Sequence, residues 1–413
     1  MTSNLDELYA IHVRKLKQLH QNQASKSELR CAAAYLRELK RTLRRERLKS
    51  KQTRKVAQPC LKTVYPVPVS LPTDEAGFVL AFSLSCSDDF ENERAKKFYE
   101  DFGFVIFRDI LDSGECEISR NEIWDDLEHK YPGFSRSAKR SFSLLSSQTY
   151  GLSKDPAVFT PQMLRNRCNA SLVKAMKLLI ADEDILMSHD RWCFYRPTKR
   201  VDMDDLSVDM PEWRTSGGLH LDLNPWAYFT ENKSVDSLCY KNLRDFSKEM
   251  NSVVESTGPH LQGVLALTDN TLLDGGTVLV PGFHKVFSSW VQRLGPLENY
   301  IQHNTSVCNR LVWRGHGLGS FKFCETDPIH DLKRRITIRA GSLLLWDQRL
   351  VHGSVPNDSE NYRMAQFVKA FRAKTCTGAR LAARTAAIRS NIDEDFIKTI
   401  SIESRKVLGI QDC

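Results

Sequence analysis

The sequence contains no run of about 18 apolar residues, the length a transmembrane helix needs. Its first residues, MTSNLDELYAIHVRKLK, lack the basic-then-apolar layout of a secretory leader. The final Ile-Gln-Asp-Cys is neither the peroxisomal tripeptide nor a prenylation box. No C-x-x-C pair occurs among the eleven cysteines, which are scattered from Cys31 to Cys413. Without a leader, such a set describes reduced, mostly buried thiols in a cytoplasmic or nuclear setting, not a disulfide framework or a zinc–thiolate centre. Most of the chain also lacks an excess of charge. The net charge is +8, yet residues 1–58 carry 15 Lys/Arg against 5 Asp/Glu, which leaves 44 against 46 for the remainder. The basic character belongs to an N-terminal appendage.

What is present describes an ordinary soluble globular protein. At 413 residues, with 41% hydrophobic and 27% charged residues, the chain can bury one large domain with appendages. In residues 1–58, Leu5, Leu8, Leu16 and Leu19 share a helix face, and Leu29, Ala32, Ala33, Leu36, Leu39 and Leu43 continue at helical spacing. The apolar stripe then gives way to RTLRRERLKSKQTRK. A solvated helical hairpin accounts for this segment. A contact of residues 40–55 with nucleic acid or an anionic surface, or a nuclear import signal, accounts for it equally well. Residues 59–90, with the proline-bearing QPCLKTVYPVPVSLP, are expected to form a linker.

The main domain is expected over 91–372. It opens with a helix, a turn at Gly103, a strand Phe104–Arg108 and a second helix. From about residue 190 the chain becomes a series of short strands: RWCFYRP, GLHLDL, QGVLALT, GTVLVPG, ITIRAGSLLLWD and RMAQFVKAF. Polar inserts near 230–258 and 296–332 are expected to lie outside the sheets. Residues 373–413 return to helical composition. The pattern predicts a mainly β, α+β protein with a double-sheet jelly-roll core, the double-stranded β-helix or cupin-like arrangement, flanked by helices.

GGLHLDLNPW, residues 217–226, carries the chemistry. On a strand His220 and Asp222 point to one face, roughly 7 Å apart along the backbone. Burying both without a partner is costly, and a metal ion is one such partner. A hydrogen-bonded His–Asp pair is the other. His352, at the end of the apolar run SLLLWDQRLVH, has the best context for a third ligand. Two histidines and a carboxylate on one face of an ion leave three positions open, the arrangement of non-haem Fe(II) oxygenases. Arg363 opens the strand RMAQFVKAF, and an arginine facing a barrel interior needs an anion, for which its fork fits a carboxylate. The Ser354 hydroxyl is placed to join it.

In this order HLD at 220–222, QGVLALTDN…DGGTVLVPGFHK at 262–285, AGSLLLWDQRLVHGS at 340–354 and Arg363 resemble the phytanoyl-CoA dioxygenase family. The block at 91–127 is similar to that family's opening, so the resemblance spans roughly residues 92–372. It implies a dioxygenase with His220, Asp222 and His352 as Fe(II) ligands, and Arg363 with Ser354 holding the distal carboxylate of 2-oxoglutarate. It also implies O2 as second cosubstrate and hydroxylation of a small-molecule substrate with release of succinate and CO2. The alternatives are a nucleic-acid-associated oxygenase or binder using residues 40–55, and a non-catalytic member of the fold. The sequence departs from the pattern at Phe283, where the family has serine. It departs again in the distance of 130 residues from Asp222 to His352 and in the first 58 residues.

Trp226, Tyr195 and Arg196 are candidate pocket-lining residues, with a core aromatic the competing account of Trp226. His284 is read as a turn residue, Asp274, Gly275 and Gly276 as a tight turn. His189, His260 and His330 have no partner at ligand spacing.

Overall fold

Asp89 and Glu91 sit in the first turn of helix α1 (Asp89–Phe102), where acidic side chains complement the helix dipole, and Ala95 and Phe98 face the core. The helix stops at Gly103, whose φ of +79° suits glycine and whose amide donates to Tyr99 O at 2.7 Å. A Cβ there would run into His284 and Leu350. Strand β1 (Phe104–Phe107) follows, fully buried, and then helix α2 (Ser113–Lys130). A capping box starts α2: Asp112 Oδ1 accepts from Glu115 N at 2.8 Å, and Glu115 Oε2 accepts from Asp112 N at 3.0 Å.

This computed structural model describes residue 18 and residues 64–84, 89–146, 151–228, 261–300, 309–312 and 320–410, except 156, 204, 205 and 377. The basic stretch 40–55 and the insert 230–258, like His260, lie outside the described residues. Apart from residue 18, the described residues belong to one unit made of 63–302 and 308–413.

After α2 come helices α3 (Pro161–Arg167) and α4 (Ala170–Ile180), then the strands β2 (Ile185–Met187), β3 (Trp192–Tyr195), β4 (Val201–Met203), β5 (Leu206–Val208) and β6 (His220–Leu221). A short helix α5 (Pro225–Tyr228) precedes β7 (Leu261–Ala266) and β8 (Gly276–Leu279), and helix α6 (Phe283–Arg293) follows. The remaining strands are β9 (Arg310–Val312), β10 (Ser320–Lys322), β11 (Arg334–Arg335), β12 (Leu343–Asp347), β13 (His352–Val355) and β14 (Arg363–Arg372). Helices α7 (Gly378–Arg389), α8 (Glu394–Thr399) and α9 (Ile402–Leu408) close the described chain.

Two antiparallel sheets make the jelly-roll core. The major sheet runs β1-β12-β7-β14-β2, with β3 also paired to β14, and the minor sheet runs β11-β8-β13-β6-β10-β9. Alternation along β14 assigns its faces. Gln366 turns outward, where its side chain meets Asn166 and Met163 O of α3. Arg363, Ala365, Phe367 and Lys369 have the opposite parity and turn towards the minor sheet. The outer face is covered by α2, α3 and α4, with Trp124 against Phe142, Phe194 and Tyr362.

The structure corrects three expectations. The described part of the expected linker, 64–84, is packed rather than free: Val79 is 3% and Phe82 1% exposed, and Phe82 bridges Phe107. Burying these apolar side chains outweighs the proline-rich composition. The insert 296–332 is not wholly outside the sheets, because its Leu311 and Phe321 are buried on β9 and β10. His284 lies in the first turn of α6, not in an open turn, and its Nε2 donates to Glu100 O at 3.0 Å. The turn at 274–276 is present as expected, with φ of +70° at Gly275 and +129° at Gly276. The C-terminal helices pack on their own cluster of Ile388, Phe396, Ile397 and Leu408. Arg384, fully buried, ties them to the major sheet by donating to Met187 O.

Candidate active site

Strand β13 lies between β8 and β6, and its register sets His352 directly across from His220. The 131 residues between His220 and His352 therefore cost the site nothing in proximity. Asp222 follows two residues after His220, just past the short β6. The three side chains converge: His220 Nε2 lies 3.8 Å from Asp222 Oδ1, His352 Nε2 lies 3.9 Å from Asp222 Oδ2, and the imidazole centroids are 4.4 Å apart. One ligand atom from each falls within 4.8 Å of the others.

Hydrogen bonds select the tautomers. His220 Nδ1 is 2.8 Å from Gly218 O and His352 Nδ1 is 3.0 Å from Leu350 O. A carbonyl only accepts, so each Nδ1 carries the proton, and in the neutral ring Nε2 is then the nitrogen with a lone pair to offer the centre. Metal-ligating imidazoles are commonly held in this way. Burial pushes the His352 pKa down to about 3, and the neighbouring His220 adds to the effect, while Asp222 opposes it.

Two residues that the motif reading missed act on Asp222 from the major sheet. Gln262 Nε2 donates to Asp222 Oδ2 at 2.9 Å, and Lys369 Nζ reaches the same oxygen at 3.4 Å. Gln262 pairs with Trp346 on one side and Lys369 on the other, which places the three in one inward row. The Trp346 ring lies 5.3 Å from His352. Parity was the available signal for Lys369, since it shares the face of Arg363.

Arg363 is 4% exposed and opposite Tyr195 on β3. Its guanidinium carbon sits 5.1 Å from the Tyr195 ring centroid, and Nη1 is 3.6 Å from Cys193 Sγ. No described carboxylate pairs with it. Nearby Arg335 spends its donors on carbonyls of Thr271, Gly275, Thr277 and Ile336 and on Asn270. Burial and Arg363 depress its pKa to about 9. Ser354 Oγ accepts from Gly217 N at 2.6 Å and contacts the Tyr195 side chain. Arg363, Tyr195 and Ser354 thus cluster on the inner side, and Ser354 is two residues from His352 on the same strand.

The other pocket candidates lie elsewhere. Adjacent strand residues face opposite ways, so Arg196 is turned away from Tyr195. It donates to Phe142 O and Leu145 O at 2.9 Å and stacks on Trp213, outside the sandwich. Trp226 packs with Tyr300 and Phe321, its Nε1 donating to Gly295 O at 2.9 Å, which is the role of a core aromatic. His189 stacks on Phe159 and bonds Leu408 O, while His330 bonds Cys324 O.

Two buried histidines and one partly buried histidine give a stability signature. His352 titrates at about 3, His284 lies below its ordinary value through burial, and His189 lies well below it through burial and the Arg167 and Arg384 charges. Unfolding releases each to about 6.5. Stability held by the neutral forms is therefore full above about pH 6.5 and is lost as pH falls towards the folded values. The denaturation free energy of the metal-free protein is expected to drop between pH 7.5 and 5. The loss reaches up to about 1.4 kcal/mol per pH unit for each histidine once below its unfolded value. Chemical denaturation across that range checks it, and a flat profile would contradict the burial of these rings.

A double-sheet fold with two histidines and a carboxylate converging on one point defines the class of non-haem iron oxygenases. The comparisons agree. A family model described as phytanoyl-CoA dioxygenase matches residues 252–365. A Dictyostelium discoideum protein provisionally named a phytanoyl-CoA dioxygenase is 30% identical over 363 residues, 82% of this chain and 96% of that one. The chain belongs to the phytanoyl-CoA dioxygenase family and is a 2-oxoglutarate-dependent non-haem iron dioxygenase. Among solved structures, the GlcNAc-inducible gene 2 product of Candida albicans shares the fold at 14% identity and a TM-score of 0.51, over 77% of this chain and 76% of that one. The epimerase SnoN, solved with Fe3+, alpha-ketoglutarate and nogalamycin RO, is a more distant likeness. It has 16% identity and a TM-score of 0.39, over 69% and 85% of the two chains. No described helix is long and apolar enough to cross a membrane.

Proposed function

We propose that this protein hydroxylates a small organic substrate, with His220, Asp222 and His352 holding Fe(II) and Arg363 with Ser354 holding the C5 carboxylate of 2-oxoglutarate. The observation that carries the reading is the triad itself, whose two Nε2 lone pairs and one carboxylate oxygen face a common point. The donor set fits iron: neutral imidazoles and a carboxylate, with no thiolate among the clustered groups to favour a structural zinc. Bound iron would supply oxidising chemistry, coupling the decarboxylation of 2-oxoglutarate by O2 to succinate and CO2 with insertion of a hydroxyl into a substrate C–H bond.

The chain's own residues perform the rest. The carbonyls of Gly218 and Leu350 keep both imidazoles in the ligating tautomer. Three ligands from one side leave the opposite side open to the cosubstrates. Arg363, on the same inner face, presents a buried guanidinium whose fork matches a carboxylate, and Tyr195 supports it from below. The buried strands β7, β12 and β14 back the site, where reduced solvent contact strengthens these interactions. The described surface offers no observation that favours the nucleic-acid reading.

The test is release of labelled succinate from 2-oxoglutarate by anaerobically purified, Fe(II)-loaded protein exposed to air, with and without a panel of small-molecule substrates. Slow uncoupled release that one substrate class accelerates is the expected result. Absence of succinate from protein with iron bound stoichiometrically would rule the assignment out.

A further inference from the structure

The carboxylate of Asp222 is held in a way that the ligand role alone does not require. Its side chain is 21% exposed, and a cation from the opposite sheet stands against it. That cation is the Lys369 ammonium. Lys369 comes from the opposite sheet, its side chain is 8% exposed, and its Nζ lies 3.4 Å from Asp222 Oδ2 and 4.0 Å from Asp190 Oδ2. Gln262 Nε2 donates to the same Asp222 oxygen at 2.9 Å. Oδ2 is thus claimed by two donors from behind, and Oδ1 is the oxygen set 3.8 Å from His220 Nε2.

Resting on the metal-site reading above, we propose that Lys369 is the resident counter-ion of the metal-free centre. Its ammonium holds the Asp222 carboxylate in position while the triad is empty, and it opposes the divalent cation when that cation arrives. Two physical consequences follow. A carboxylate deprived of its buried cationic partner destabilises the fold, so the empty site needs Lys369. A positive charge a few ångströms from a divalent ion repels it, so the filled site binds less tightly because of Lys369. Asp190 is the competing carboxylate that shares the ammonium. Its own place is fixed: Asp190 Oδ1 accepts from Arg191 N at 2.8 Å, and the residue is 4% exposed. Withdrawing Asp190 removes one anion that offsets Lys369 and leaves more of the ammonium's charge on Asp222 and on any ion bound there.

Opposite signs are therefore expected from two substitutions in one chain of contacts. Lys369→Met, close in length and uncharged, should lower the melting temperature of the metal-free protein while tightening metal binding by about tenfold or more, the least expected of a unit charge so close to a divalent ion. Asp190→Asn should weaken metal binding. A role confined to packing would weaken both. The experiment strips full-length protein with chelator and titrates Co(II), which is stable in air, by calorimetry and by its visible d–d bands. Melting curves are recorded with and without the ion. Wild-type binding combined with unchanged or weaker Co(II) affinity in Lys369→Met overturns the inference and leaves the site reading intact. Failure of the wild type to bind Co(II) at all removes the site reading, and this inference with it. Should Lys369→Met fold only with metal present, the counter-ion role is supported. Should it not fold at all, Asp190→Asn decides, and equal or tighter binding there overturns the proposal.

Discussion

His352→Ala protein is expected to fold and to lose its iron. The imidazole is buried beside Trp346 and, on the assignment proposed above, is one of three ligands that the sheets bring together from distant parts of the chain. Two ligands remaining on one short segment cannot hold the ion at working concentrations. Changes to groups that merely orient metal ligands cost about 10–100-fold in affinity, and removal of a ligand should exceed that range. His220→Ala should match it, because the two rings face each other in register across β6 and β13. The truncation also removes one hydrogen bond to Leu350 O and leaves a cavity, so a modest fall in melting temperature is expected with a native circular-dichroism spectrum. Iron measured after anaerobic reconstitution and desalting decides the matter: near-stoichiometric for wild type, near zero for either variant. Retention of iron by His352→Ala would show that the convergence at His352 is not the metal site.

The sequence made parts of this site legible and hid others for identifiable reasons. His220 and Asp222 are separated by one residue, and strand parity alone aims them together. His352 was found through context, an imidazole ending an apolar strand. Its register opposite His220, though, is a property of sheet order that no local spacing contains. Gln262 and Lys369 stand 40 and 147 residues from Asp222 and reach it from the other sheet, so no motif around the triplet includes them. Lys369 still left a trace in RMAQFVKAF, where positions 363, 365, 367 and 369 share a face and a lysine on the inward side calls for an anion. The same parity separates Tyr195 from Arg196, whose pairing as pocket residues was incompatible with a strand. The double-sheet jelly-roll class, though not the order of its strands, followed from short alternating runs and turn residues. The packing of residues 64–84 did not, because proline content signals a linker while the burial of Val79 and Phe82 depends on partners far along the chain.

Arg363→Ala is expected to weaken 2-oxoglutarate binding by about 2–5 kcal/mol, the usual cost of truncating one partner of a buried charge pair. The guanidinium is 4% exposed, lies over Tyr195 and has only the Cys193 sulfur as a described side-chain acceptor. A cation in that setting is a stability cost unless an anion completes it. A structural arginine and a cosubstrate-binding arginine therefore predict different things. If Arg363 is structural, Arg363→Met should lower the melting temperature of the cosubstrate-free protein. If it awaits a carboxylate, Arg363→Met should melt no lower than wild type and should lose the stabilisation that added 2-oxoglutarate confers. The second pattern is expected. Arg363→Lys should be impaired as well, because a point charge on a flexible stem cannot reproduce two parallel hydrogen bonds. Iron binding should survive in all three variants, since the arginine is not a ligand. Anaerobic titration of 2-oxoglutarate into Fe(II)-loaded protein, followed by the metal-to-ligand charge-transfer band and paired with melting curves, separates these effects. Equal cosubstrate affinity in wild type and Arg363→Ala, together with a lowered melting temperature in Arg363→Met, would assign Arg363 to the fold and place the anchor of 2-oxoglutarate at another residue.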